Sequence, residues 1–285
     1  MPDRTDGPTP DDSLMGSPAP RRPRSSRAKP AAETPADGEL RSAFGRWFGT
    51  VRGHLTRGDQ ATEAEFCARV RASVLFAGRP VDDHRDARRI FSALARGKEL
   101  LSSALAWEAP LVGKSDSRSS GERGLQWRAV IAWSGLEQIL RELIPTMRRS
   151  DLDSLVATLE LPPYRPLDPP RAELASLRSW RDGDTGDDEH GINGFLQAES
   201  QETRRTLRSW LIAGRPQETW TDSLVLTKVL RHVTAHGALS ASKVRQWGLI
   251  PVFGRLIPET GIVAAALFHK MAAESLEDDD SAHAA

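Results

Sequence analysis

Cysteine is nearly absent from this chain: Cys67 is the only one in 285 residues. A single thiol closes no intramolecular disulfide and supplies no multi-cysteine zinc site. Its absence elsewhere suits a reducing compartment, so a cytoplasmic location is expected. Tyrosine is equally scarce, with Tyr164 alone, and lysine occurs six times, at positions 29, 98, 114, 228, 243 and 270. No apolar stretch is read as long enough for a membrane span, and no apolar leader core is read at the N-terminus. Neither a membrane partner nor secretion is therefore expected. An excess of charge of one sign is also missing: 39 basic and 39 acidic side chains cancel. Any contact with nucleic acid must then come from a local basic surface rather than from an overall field.

Runs of β-branched and aromatic residues at strand length are rare, while Ala, Leu, Arg and Glu dominate. This balance predicts an all-α fold. The cations are mostly Arg, which suits planar phosphate contacts; a GC-rich coding sequence explains the same bias. Residues 1–38 hold Pro, Ser, Asp, Arg and Ala with few large apolar groups, and a disordered arm is expected there. Residues 39–112 read as a small helical region. Phe44, Trp47, Phe48, Val51 and Leu55 form one apolar stripe, Phe66, Val70, Val74 and Leu75 a second, and a helix opening at Asp82 carries a third. Cys67 falls inside this pattern and reads as packing. The polar stretch 113–123 marks a boundary. A helical bundle is expected over 120–275, followed by an acidic tail at 276–285.

Within the bundle a long helix is predicted at 125–144, ended by Pro145. A short helix follows at 151–160, with Ser150 or Asp151 as cap. Five prolines between 162 and 170 impose an extended connection. Further helices fit 200–213, 217–236 and 258–274. Gly113-Lys114-Ser115 is not a phosphate loop, because Glu108 stands where the leading glycine belongs and no strand precedes it. Asp187-Asp188-Glu189-His190 lies in an acidic loop without metal-ligand spacing, so no metal and no cofactor are expected.

The chemistry-bearing segment is Arg231-His232-Val233-Thr234-Ala235-His236. Arg231 and His236 are five residues apart, about 140° around a regular helix, and do not share a face. Gly237 directly follows and is suited to the C′ position, where the chain turns and can re-aim the histidine ring. A histidine can move a proton near neutral pH, and a guanidinium can stabilise charge on phosphate oxygens. His236 also continues the apolar stripe of positions 229 and 233, which fits a structural histidine equally well. Glu137 interrupts the apolar stripe formed by Val130, Trp133, Leu140 and Ile144. Such a carboxylate needs a partner, and Arg231 or His236 is the natural one. Arg204, Arg205 and Arg208 cluster on one helix and are candidate RNA contacts; an exposed basic face accounts for the same cluster. Trp127, Trp133, Trp210, Trp220 and Trp247 could stack bases or anchor the core.

Arg231, four intervening residues, His236 and Gly237 resemble the motif of the HEPN ribonucleases. The stretches Ala132-Trp133-Ser134-Gly135-Leu136-Glu137 and Ala238 to Leu249 are similar to parts of such domains. The resemblance covers about residues 120–275. It departs at His232, where the family usually has Asn or another small polar residue, and the role of His232 stays open. The resemblance implies a helical bundle acting as a homodimer with a composite cleft. It implies metal-independent endoribonuclease activity, with His236 as acid and base and Arg231 on the scissile phosphate. It also implies a toxin or antiviral defence effector, with RNA as substrate and an antitoxin or other regulatory protein as possible partner. The alternatives are a catalytically silent HEPN-like module binding RNA, nucleotide or protein, and a helical adaptor with an accidental motif.

Overall fold

The computed structural model describes residues 34–52, 63–107, 120–144, 146–170 and 201–283. The fold is all-α: no strand forms among the described residues, where the β feature is an isolated bridge between Leu167 and Gln217. Helix α1 spans Pro35–Arg52, α2 Glu63–Leu75, α3 His84–Ala106, α4 Ser120–Arg141 and α5 Arg149–Val156. Helix α6 spans Gln201–Leu207 and runs into a π-helical turn at Arg208–Ile212. Helix α7 spans Trp220–Ala235, α8 Ala241–Gln246 and α9 Ile250–His283.

Local chemistry accounts for most of the boundaries. Helix α1 begins inside the stretch expected to be a disordered arm. The Thr34 hydroxyl accepts the Asp37 amide at 3.3 Å, and Pro35 sits at the first helical position, where its missing N–H costs nothing. Residues 1–33 lie outside the described residues. Asp83, one residue beyond the expected Asp82, caps α3 by accepting the Asp86 amide at 2.7 Å. Helix α5 starts at Arg149 with no side-chain cap, so neither Ser150 nor Asp151 serves as one. Helix α7 opens on a reciprocal capping box between Thr219 and Asp222.

The core is continuous. Buried side chains from α1, α2 and α3 join those from α4, α7, α8 and α9 in one cluster that includes Trp47, Trp133, Trp210, Trp247, Phe253 and Phe268. The boundary expected at 113–123 therefore does not separate one core from another. The physical reason is that α1 lies along α9 and α3 along α4, so the early helices bury their stripes on the later ones. Phe44, for example, meets Phe268 edge-on with centroids 5.1 Å apart. Burying one such ring fully is worth about 2–3 kcal/mol.

The crossing of α3 and α4 is set by two glycines. A methyl on Gly135 would lie 2.6 Å from the Gly97 carbonyl oxygen and 2.7 Å from the Leu101 nitrogen. A methyl on Gly97 would lie 2.7 Å from the Gly135 carbonyl oxygen. Both neighbours are backbone, so the two helices touch main chain to main chain there.

Helix α9 overturns two expectations. It starts at Ile250 rather than 258 and carries Pro258 in its interior. Proline deprives the carbonyl four residues earlier of its donor. That residue is Gly254, exposed and without a side chain to crowd the ring. The same continuity makes Ile250–Leu276 long and apolar enough to cross a membrane, contrary to the sequence reading, but 67% of its most apolar stretch is buried inside the fold. The helix also continues through His283, past the start of the expected acidic tail.

After a turn at 157–159 the connection 160–170 is extended, as its prolines demand, and is pinned at several points. The Trp220 indole N–H donates to the Pro162 carbonyl at 2.8 Å. Tyr164 packs edge-on against Trp220 and carries Arg255 over its ring, and Arg255 donates to the Arg165 and Pro166 carbonyls. Glu259 in turn holds Arg255 at 2.7 Å and accepts from the buried Ser223 hydroxyl.

Candidate functional site at the end of helix α7

Gly237 terminates α7 with φ of 75°, in the region where a Cβ is strained. Its N–H reaches the Thr234 carbonyl at 3.0 Å, and the Leu239 N–H turns back to Val233 at 3.0 Å. His236 is the C-cap residue and is exposed. Its ring stacks against that of His232, one turn earlier, with centroids 4.3 Å apart and planes inclined by 56°. The position left open by the sequence thus backs the ring of the expected catalytic histidine. The negative end of the helix dipole lies here, which suits cationic groups.

Arg231 faces another way. Its guanidinium meets the Glu137 carboxylate at 3.8 Å, and Glu137 also takes Arg141 at 2.7 Å. The Arg231 side chain is 31% exposed, while its Nε is buried without an acceptor. Among the described residues no hydrogen bond or ring contact joins Arg231 to His236. This is the 140° separation of a regular helix, unrelieved by the turn at Gly237 because the break comes after His236. Of the four residues expected here, two pairs form: His232 with His236, and Arg231 with Glu137.

Two further contacts, absent from the sequence reading, secure the segment to the same side of α4. The Gln126 amide, buried, donates to the Leu239 carbonyl at 2.7 Å. Arg245 on α8 binds Glu122 at 2.7 Å, and this guanidinium holds the Glu122 carboxyl below its ordinary value of 4.5. Positions 122, 126 and 137 recur at roughly helical spacing along α4. Polar residues at that spacing among Leu125, Ala129 and Trp133 were the available signal. Lys243 lies 5.8 Å from the Trp247 ring centre and donates to the Ala238 carbonyl at 3.3 Å; burial pushes its ammonium pKa down.

Arg204 is half-buried, whereas Arg205 and Arg208 are exposed. The π-helical turn begins at Arg208 and divides the expected single helix. Trp133, Trp210 and Trp247 are buried core residues and Trp220 is held by the proline connection. Trp127, by contrast, is 45% exposed on α4. No group of three His, Cys, Asp or Glu that could hold a metal occurs among the described residues, and Asp187 to His190 lie outside them. No family model, no curated protein and no solved structure matches the chain, so its likeness to HEPN ribonucleases rests on its own residues.

Proposed function

We propose that the end of α7 is the cleaving centre of a metal-independent endoribonuclease, acting as a toxin or antiviral defence effector. The observation that carries this reading is an exposed His236, backed by the His232 ring, one turn from an arginine with an unpartnered N–H. In the reaction the RNA 2′-hydroxyl attacks the adjacent phosphorus and gives up its proton to an imidazole. The 5′-oxygen leaves with a proton from an imidazolium, and a 2′,3′-cyclic phosphate remains. Arg231 would bear on the phosphate oxygens as charge builds there. Since Arg231 and His236 point to different sides of one helix, the reading includes a homodimer in which a second copy completes the cleft. A neutralising protein partner belongs to the same proposal.

A second reading is a silent module that binds RNA, nucleotide or protein. It is favoured by the prior engagement of Arg231 with Glu137. Expression of the wild type beside Arg231→Ala and His236→Ala, read as growth arrest and RNA integrity, separates the two. The nuclease reading expects RNA breakage with cyclic phosphate ends from the wild type alone. Equal behaviour of all three proteins sinks it.

A further inference from the structure

A second feature lies toward the other end of α7. A cleft of about 640 Å³ opens between α5, α6, the π-helical turn, the residues around Gln217 and the first turns of α7. Its two acids are already engaged. Glu202 binds Lys228 at 2.9 Å. Asp222 binds Arg149 and accepts the Glu218 and Thr219 amides at 3.1 Å each. Burial alone would raise the Asp222 carboxyl, but the Arg149 and backbone hydrogen bonds outweigh it and hold the group below its ordinary value. Arg149 is spent on this pairing. Arg205 and Arg215 also line the cleft, both exposed, and neither guanidinium makes an ion pair or hydrogen bond among the described residues. Within the described fold, two guanidinium groups without acidic partners therefore border one concavity.

The neutral groups around them are donors of the right kind. Thr206 and Ser209 bring hydroxyls and Gln217 brings an amide. Ser209 stands in the π-helical turn, where the Ala213 N–H closes onto Arg208 at 2.9 Å and the Arg215 N–H onto Ser209 at 3.1 Å. Inserted π turns are rare and often mark functional positions. This one carries Ser209 to the cleft while Arg208 stays outside its lining. The walls are braced, since Gln217 is held in its bridge to Leu167 and Asp222 in the capping box. No aromatic ring among the described residues lines the cleft, so none there would stack a base. Planar guanidinium forks with hydroxyl donors match a tetrahedral oxyanion.

We propose that this cleft is a phosphate-binding site, taking the phosphate group of a nucleotide or polynucleotide through Arg205 and Arg215. From Asp222 to His236 along α7 is about 21 Å at the rise of a regular helix, so the site is separate from the α7 terminus. It does not depend on cleavage at His236.

The test is equilibrium binding by the full chain of three probes: inorganic phosphate, an equimolar mixture of the four ribonucleoside monophosphates, and a short RNA oligonucleotide. The His236→Ala background keeps the RNA intact. The proteins are this parent, its Arg205→Ala/Arg215→Ala form and its Arg205→Lys/Arg215→Lys form. Both arginines are exposed, and an unchanged melting temperature verifies the fold. Saturable binding that falls about ten-fold or more in the alanine form, with partial recovery in the lysine form, supports the site. Binding of monophosphates as well as RNA identifies a nucleotide ligand; binding of RNA alone identifies a strand. Absence of binding by all three probes, or equal binding by parent and alanine form, overturns the proposal. Because cleavage is not read, loss of the ribonuclease reading would leave this result standing.

Discussion

Replacing Gly135 by alanine sets two opposed effects against each other. In a helix interior alanine is preferred to glycine by about 1 kcal/mol. Here, however, the new methyl would sit 2.6 Å from the Gly97 carbonyl oxygen and 2.7 Å from the Leu101 nitrogen. Neither atom belongs to a side chain that can rotate aside. Restoring ordinary contact requires α3 and α4 to move apart by about 0.8 Å, which forfeits dispersion contacts along the crossing. Overpacking of this kind costs about 1–3 kcal/mol, and more when only backbone can yield. The steric cost wins, with a net loss of about 1–2 kcal/mol and a melting temperature lowered by about 3–6 °C. Gly45 provides the matched control: it is exposed on α1 and a methyl there meets nothing within 4 Å. Gly45→Ala should gain about 0.5–1 kcal/mol. Urea unfolding with unchanged m-values, alongside thermal melts, measures both. A Gly135→Ala protein as stable as wild type, or a destabilised Gly45→Ala protein, would refute the close-crossing argument. Glu137 sits two residues beyond Gly135 on the same helix, and its pairing with Arg231 is already long at 3.8 Å. The shift should therefore loosen Arg231 as well.

Glu137→Ala deprives Arg231 and Arg141 of their shared carboxylate and should lower the melting temperature by about 2–4 °C, corresponding to about 1 kcal/mol for a partly exposed cluster; an unchanged melt would mean that the pairing holds nothing. Gly237→Ala should cost about 1 kcal/mol through its φ of 75° alone, since no atom lies within 4 Å of the added methyl, and Gly237→Asn should cost less. Urea midpoints check that order, and an alanine variant equal to wild type would contradict it. Arg245 lowers the folded-state pKa of Glu122, so the stability from this pair is present above the ordinary 4.5 and is lost as pH falls through the folded value. The stability gap between wild type and Glu122→Gln should accordingly be constant near neutrality and close as the pH falls below the ordinary 4.5, as denaturant titrations across that range would reveal.

Much of the architecture was legible because it follows local rules. Gly237 marks the end of α7 with the backbone freedom that position requires, and the aspartate cap of α3 was read one residue early, at Asp82 instead of Asp83. Glu137 stood out as a carboxylate within an apolar stripe; of the two partners expected for it, Arg231 and His236, it meets Arg231, and it also takes the unforeseen Arg141. Other features depend on contacts distant in sequence. Pro258 reads as a helix limit in isolation; an exposed Gly254 one turn earlier is what allows the helix to continue. The Thr34-Pro35 start was hidden by its polar surroundings, although the pair is a helix-opening signal. The π-helical turn has no sequence period distinct from that of an α-helix. The polar stretch 113–123 looked like a domain boundary because composition reports solubility of a segment, not which helices meet across it. At the candidate site, local spacing correctly kept Arg231 and His236 on different faces. The contribution of Gln126 required knowing that α4 passes the turn after α7.

The pairing of α1 with α9 bears on when this protein can fold. About 200 residues separate the end of α1 from the beginning of α9. At ribosomal rates of about 5–20 residues per second, α1 waits roughly 10–40 s for the surface that covers it. During that interval Leu40, Trp47 and Val51 lack the part of their cover that α9 supplies, although Trp47 can already meet Phe91 of α3. Helices α3 and α4, by contrast, are near neighbours in sequence and can dock early. The nascent chain would thus assemble from the middle outward, with its first helix among the last to settle.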